Sequence, residues 1–291
     1  MKRLFTLLCM LLAPLTAMAE QAKHHSVLTG LPVNYMLASQ LLEGTDAEVK
    51  YLPPSRYGMH RMANWLDGQG QQTVQSAASE ADAVITLAAA WPQDPLFRYA
   101  RAHNIRLVEI DASQTIGPRA QSVAVLPGNN GQPSPYVWLN PANLAQMNTI
   151  VAMDLQRLWP QHQATIRANR AKLNQAILSM QQRQAMQLME AEIDSVILLD
   201  EPMEDFAAGH QLFVHHRQFG SELEWSDAQS QALVQALEDD PEAVILMTRR
   251  ASGKLNGLLP EGTRVLQIDA LDRWGRGIDN ADPLARWALP L

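Results

Sequence analysis

The chain has 291 residues, 47% of them hydrophobic, and carries 23 Lys and Arg against 30 Asp and Glu, a formal net charge of −7. That acidic balance argues against nucleic acid and anionic membranes as partners, because both are held through excess positive charge. Cys9 is the only cysteine, which excludes a disulfide framework and leaves stability to packing.

Residues 1–19 read as a secretory signal peptide. Lys2-Arg3 is the basic start, Leu4 to Leu15 the apolar run, and Ala17-Met18-Ala19 a small-residue cleavage site before Glu20. The apolar run is too short to span a bilayer comfortably. Cleavage removes Cys9, Lys2 and Arg3, leaving 21 basic against 30 acidic residues in an exported chain. About 270 residues then remain, enough for two lobes with cores of their own.

Glu20 to His25 is polar and loose, and the His24-His25 pair, although able to touch metal, reads as inert in a terminal segment. Ser26-Gly30 reads as a first strand, Leu31-Glu43 as a helix and Glu48-Leu52 as a second strand stopped by Pro53-Pro54. The loop that follows ends at Gly58-Met59-His60. Met62-Ser79 is helical with a break at Gly68-Gln69-Gly70. Ala81-Leu87 is a buried strand, Asp94-His103 a helix and Ile105-Ile110 a strand. A loop-rich passage from Asp111 to Gln132 contains Gly128-Asn129-Asn130-Gly131 as a turn. Continuous apolar strands alternating with helices point to a parallel sheet.

Ser134-Pro135-Tyr136-Val137-Trp138-Leu139-Asn140-Pro141 opens a different region. Asn140 is an N-cap and Pro141 takes the first helical position, where its missing N–H costs nothing. Leu144, Met147, Val151, Leu155 and Leu158 recur at helical spacing up to Trp159-Pro160. From Gln161 to Glu190 there is neither Gly nor Pro, and Ile166, Leu173, Ile177, Met180 and Leu188 form one apolar stripe. A helix of that length is about 45 Å long, a strut on the scale of a domain. Strand–helix alternation then restarts, with strands at Ser195-Leu199, Leu212-Val214, Ala243-Met247 and Arg264-Asp269. Helices fall at Met203-Ala208, Asp227-Leu237 and Ser252-Leu258, and Trp274-Leu291 packs back on the body.

Parallel α/β units bind ligands beyond the carboxyl ends of their strands. His60, Asp200 and Asp269 stand at such ends, with Glu201 beside Asp200 and Tyr136 opening the central region. His215-His216 also follows a strand, but a histidine pair at a strand end is more often solvated than aimed into a cleft. Paired acids such as Asp200 and Glu201 are compatible with hydrolysis, but adjacent residues diverge in direction. There is no Gly-x-Ser-x-Gly elbow, no His-Glu-x-x-His helix and no phosphate loop ending Gly-Lys-Ser/Thr. An enzyme is not expected.

The run Tyr136-Val137-Trp138-Leu139-Asn140-Pro141, followed by a helix, a Pro break and a longer helix, resembles the zinc/manganese (TroA-like) periplasmic receptors of ABC importers. The resemblance covers nearly the whole chain after residue 19. It implies an α/β fold of two lobes, each a parallel sheet flanked by helices, at 20–160 and 191–291, joined by a backbone helix at 161–190. It further implies a monomer in the periplasm that binds a divalent transition metal (zinc or manganese, with iron possible) and passes it to an inner-membrane ABC permease. Carried over position by position, the metal set becomes His60, Tyr136, Asp200 and Asp269, with Glu201 adjacent.

Two positions depart from the family pattern. Tyr136 stands where the family has His before Val/Ile-Trp-Leu, and Asp200 stands where a His usually follows the first strand of the second lobe. Replacing imidazoles by phenol and carboxylate moves preference from zinc towards harder ions. Three states stay open: a divalent ion with Tyr136 as spectator, a harder ion using the whole set, or a same-fold receptor for a metal chelate or protein partner without a direct ion site.

Overall fold

The computed structural model describes residues 25–117, 121–128 and 131–291. The signal-peptide reading at 1–19, His24, and Asn129-Asn130 of the expected turn lie outside the described residues. Two four-stranded sheets, both entirely parallel, form the two lobes. The first has strand order β2-β1-β3-β4, from β1 (Ser26–Thr29), β2 (Glu48–Tyr51), β3 (Ala83–Thr86) and β4 (Val108–Asp111). The second repeats that order as β6-β5-β7-β8, from β5 (Ser195–Leu198), β6 (Phe213–Arg217), β7 (Val244–Met247) and β8 (Val265–Gln267).

The helices of the first lobe are α1 (Pro32–Leu41), α2 (Met62–Asp67), α3 (Gln71–Glu80) and α4 (Leu96–Arg101). Next come α5 (Pro141–Leu158) and α6 (Gln163–Glu190), and the second lobe adds α7 (Met203–His210), α8 (Asp227–Asp239) and α9 (Gly253–Leu258). Among these, none is long and apolar enough to cross a membrane. The Asn140 side chain accepts from the Ala142 N–H at 3.0 Å and so starts α5. The 28 residues of α6 run about 42 Å and bury Ile166, Leu173, Ile177, Met180, Gln184 and Leu188. Asn148 on α5 donates to Asn174 Oδ1 (2.8 Å) and Arg170 O (3.1 Å), fastening the two helices side by side. Asn169 donates to the carbonyls of Leu41 and Glu43, satisfying acceptors left open at the end of α1.

Two element boundaries differ from the sequence reading by three residues, each for a local reason. The fourth strand begins at Val108 and not at Ile105, because Asn104 donates to Ala78 O and Ala81 O and accepts from the Arg106 N–H, which forces a turn. The strand read as Leu212-Val214 continues through His215 and His216 to Arg217. A bulge opposite Val196 and Ile197 leaves His215 without a register partner, so the histidine pair lies within an edge strand and not beyond it.

One buried apolar cluster reaches from Val27 and Leu37 through Trp138 and Ile177 to Leu198, Leu246 and Trp287, and therefore joins both lobes. Ile197, Leu199, Ile245 and Met247 point to the other face of the second sheet and form a smaller core with Leu233 and Leu237. Polar ties add to the shared core. Trp138 Nε1 donates to Ala270 O (2.9 Å), Trp287 Nε1 to Trp138 O (3.1 Å) and the Met59 N–H to Asp272 O (2.8 Å). A side chain at Gly209 would meet Asn140 Cα at 2.8 Å, so only glycine lets α7 approach the start of α5 this closely. These ties join the two walls of the cleft.

Candidate functional site: the interlobe cleft

The cleft lies at the carboxyl ends of both sheets. His60 comes from the turn Met59–Arg61 after β2, and Tyr136 from the residue before the turn Val137–Leu139. Asp200 and Glu201 follow β5, and Asp269 follows β8. His60 Nε2 and the Tyr136 hydroxyl are 2.8 Å apart in a hydrogen bond. His60 is exposed, whereas Tyr136 is 7% exposed. Burial pushes the Tyr136 hydroxyl well above its ordinary pKa, and the charges of Asp272, Glu201 and Asp200 push it the same way against Arg273. The phenol is therefore protonated.

Two cavities meet at Tyr136 and Glu201. One, of about 310 Å³, is walled by His60, Trp91, Pro133, Ser134 and Glu204, with Tyr136 and Glu201 at its edge. The other, of about 640 Å³, is lined by Asp200, Glu201, Asp269 and Asp272 and by Arg249, Arg273, Arg276 and Arg286. Four carboxylates facing four guanidinium groups give that lining no net formal charge.

The carboxylates are held in place by named partners. Arg286, only 6% exposed, donates Nε to Asp269 Oδ2 and Nη2 to Asp269 Oδ1, both at 2.9 Å. Its Nη1 donates to the carbonyls of Arg273 and Trp274. Burial alone would raise the Asp269 carboxyl, but Arg286 and the Leu271 N–H hold it below the usual carboxylate range. Leu271, fully buried at φ 52°, sits in the left-handed region, and the Trp138–Ala270 bond fixes the chain beside it. Asp200 Oδ2 accepts from the Thr248 N–H (2.7 Å) and Thr248 Oγ1 (2.9 Å), while Arg249 Nη2 stands 3.6 Å from Asp200 Oδ1. Arg249 also pairs with buried Glu222 at 2.8 Å. Ser134 donates to buried Asp205 behind this wall.

Of the five sequence-predicted residues, His60 and Tyr136 touch, and Tyr136 and Glu201 line both cavities. Asp200 and Asp269 border the larger cavity, each with an arginine partner. Sequence reasoning missed Thr248, Arg249, Asp272, Arg273, Arg276 and Arg286. Thr248-Arg249 stands directly after β7, so the strand-end rule already covered it. A search of strand ends for anionic and imidazole ligands passes over a guanidinium. Arg286 carried no signal, because 17 residues separate it from Asp269.

Two lobes with identical parallel strand orders, a shared core and a cleft at the strand ends define a two-lobed receptor of the solute-binding kind. The chain belongs to the family described as ZnuA, zinc-uptake complex component A periplasmic, whose model matches residues 27–278. A comparison with curated protein sequences gives no match. Among solved structures, the crystal structure of ZnuA superposes with TM-score 0.64 at 19% identity, over 85% of this chain and 91% of that one. The Zn(II)-bound ZnuA-like domain of Streptococcus pneumoniae AdcA gives 0.64 at 19%, over 89% and 91%. The receptor FpvC of Pseudomonas aeruginosa, in complex with Ni2+, gives 0.65 at 15%, over 86% and 88%. These likenesses establish the fold.

Proposed function

We propose that the chain is the periplasmic receptor of a metal-ion ABC importer, and that its cargo is a transition metal carried with a small anionic chelator. Residues 20–160 and 191–291 are the lobes in this reading and 161–190 the connecting strut. An inner-membrane ABC permease takes the cargo from a monomeric receptor. The carrying observation is the cleft lining, in which four guanidinium groups balance Asp200, Glu201, Asp269 and Asp272.

A bare dication entering that lining meets no net negative charge to attract it, and to use Asp269 it must displace the bidentate Arg286. An anionic chelate instead lays its oxygens against Arg249, Arg273 and Arg276 and turns the metal towards His60 and Glu201. Tyr136 stays protonated and orients His60, so a cargo atom taken by His60 Nε2 replaces the phenol. Asp200 and Asp269 act in this reading by holding arginines.

A second reading is favoured by the junction of the two cavities at Tyr136 and Glu201, with His60 in reach. There a bare zinc, manganese or iron ion takes His60, Tyr136, Asp200, Glu201 and Asp269 as its direct shell. Calorimetric titration with each ion as chloride and as citrate complex separates the two. The chelate reading expects saturable binding of the complex in the cleft and little binding of the free ion there. Cleft binding of the free ion alone supports the direct shell.

A further inference from the structure

We propose a second metal site, formed by His25, Asp46 and His162 at the opposite end of the first lobe and suited to a divalent ion of the zinc class. Among the described residues this is where three such side chains converge, with one ligand atom from each lying within 4.8 Å of the others. The topology accounts for the meeting. His25 directly precedes β1, Asp46 stands two residues before β2 and Asp82 directly precedes β3, so all three mark amino ends of neighbouring parallel strands. His60 and the cleft lie at the carboxyl ends. His162 closes the turn Pro160–His162 that leads into α6.

The ring of His25 is set up as a ligand. Its Nδ1 is 2.9 Å from Asp82 Oδ2, a carboxylate 12% exposed. A proton held there leaves the Nε2 lone pair outward, where the Gln161 amide donates to it at 3.0 Å. A carboxylate behind a metal-ligating imidazole fixes its tautomer and raises its basicity in this manner. The second ring already faces the carboxylate: His162 Nε2 is buried and lies 2.7 Å from Asp46 Oδ1, in an ion pair whose angle is not that of a hydrogen bond. The two imidazoles stand edge to face at 6.0 Å, sheltered by the Trp159 ring 4.9 Å from His25.

Two neutral imidazoles and one carboxylate are a zinc-type donor set that leaves a fourth position for water. Bonds of about 2.0–2.1 Å separate tetrahedral ligand atoms by roughly 3.3 Å. The 2.7 Å contact between His162 Nε2 and Asp46 Oδ1 must therefore widen. Asp46, with a side chain 60% exposed on the turn before β2, has room for this.

The test uses untagged protein, zinc(II) calorimetry and cobalt(II) absorption on the parent, Asp46→Asn, His162→Gln, Asp82→Asn and His60→Ala, with circular dichroism confirming each fold. One zinc should bind to the parent and to His60→Ala alike. Asp82→Asn should weaken it about 10–100-fold, the usual loss when the carboxylate behind a ligating histidine is removed. Asp46→Asn and His162→Gln should weaken it at least as much and abolish the tetrahedral cobalt bands. Absence of zinc binding in the parent overturns the proposal, as does zinc affinity unmoved by Asp46→Asn and His162→Gln, or lost in His60→Ala.

Discussion

The interlobe cleft and the amino end of the first sheet hold the same kinds of side chain in opposite mixtures. In the cleft a single imidazole, His60, faces carboxylates that arginines already neutralise, Asp269 through both oxygens. At the amino end two imidazoles share one carboxylate, and a second carboxylate stands behind a ring. The place where the family resemblance puts metal is thus the poorer site for a free dication, and the place where it puts none is the better. Position in a fold fixes where a cargo can sit. The charges around that position decide what form the cargo takes.

The largest expected contrast concerns stability. Asp269→Ala leaves Arg286 buried without its carboxylate and should cost about 3 kcal/mol, because an uncompensated buried charge is expensive. Asp46→Asn, on an exposed turn, should stay within about 0.5 kcal/mol. Urea unfolding of the two variants checks this. Equal losses would mean that the cleft carboxylate is not committed to its arginine.

A smaller effect tests a cleft-wall acid partnered by a serine. Burial raises Asp205 to about 6, although the Ser134 hydroxyl pulls it down. The folded chain keeps that proton where an unfolded carboxyl would release it, so stability falls as pH rises through about 6. Asp205→Asn should therefore be more stable than the parent at pH 7.5, by on the order of 2 kcal/mol, and lose the advantage near pH 4. Melting temperatures across that range show it, and a gain independent of pH would contradict it.

At Tyr136 the expected effect is on affinity. Tyr136→Phe removes one hydrogen bond to His60 and should change cargo affinity by no more than about 1 kcal/mol. Tyr136→His makes the cleft more like the amino end by setting a second imidazole beside His60, and should create affinity for free zinc there. Titration in a His162→Gln background reads the cleft alone. A large loss in Tyr136→Phe would make the phenol a direct ligand.

The sequence made the scaffold legible and the charge balance only in part. The alternation of strands and helices, the Asn140-Pro141 start and the uninterrupted stripe of α6 are local patterns, and each appears in the structure. Residues at strand ends were legible too, because topology puts them there. The packing back of Trp274-Leu291 was legible as well, but the carboxylate that Arg286 meets was not, because its pairing with Asp269 is set by where Trp287 docks on Trp138. The same holds for His162, separated from Asp46 and His25 by over a hundred residues and joined to them because α6 starts beneath the first sheet.

The central claim is that the cleft takes a metal together with an anion, and one substitution gives opposite signs for the alternatives. Arg276 is an exposed guanidinium on the cleft lining. Measured by calorimetry in the His162→Gln background, Arg276→Gln should weaken binding of metal–citrate complexes about fivefold, the scale of one exposed charge contact. Free zinc or manganese binding in the cleft that tightens on the same change, with the citrate complexes unaffected, would contradict the account.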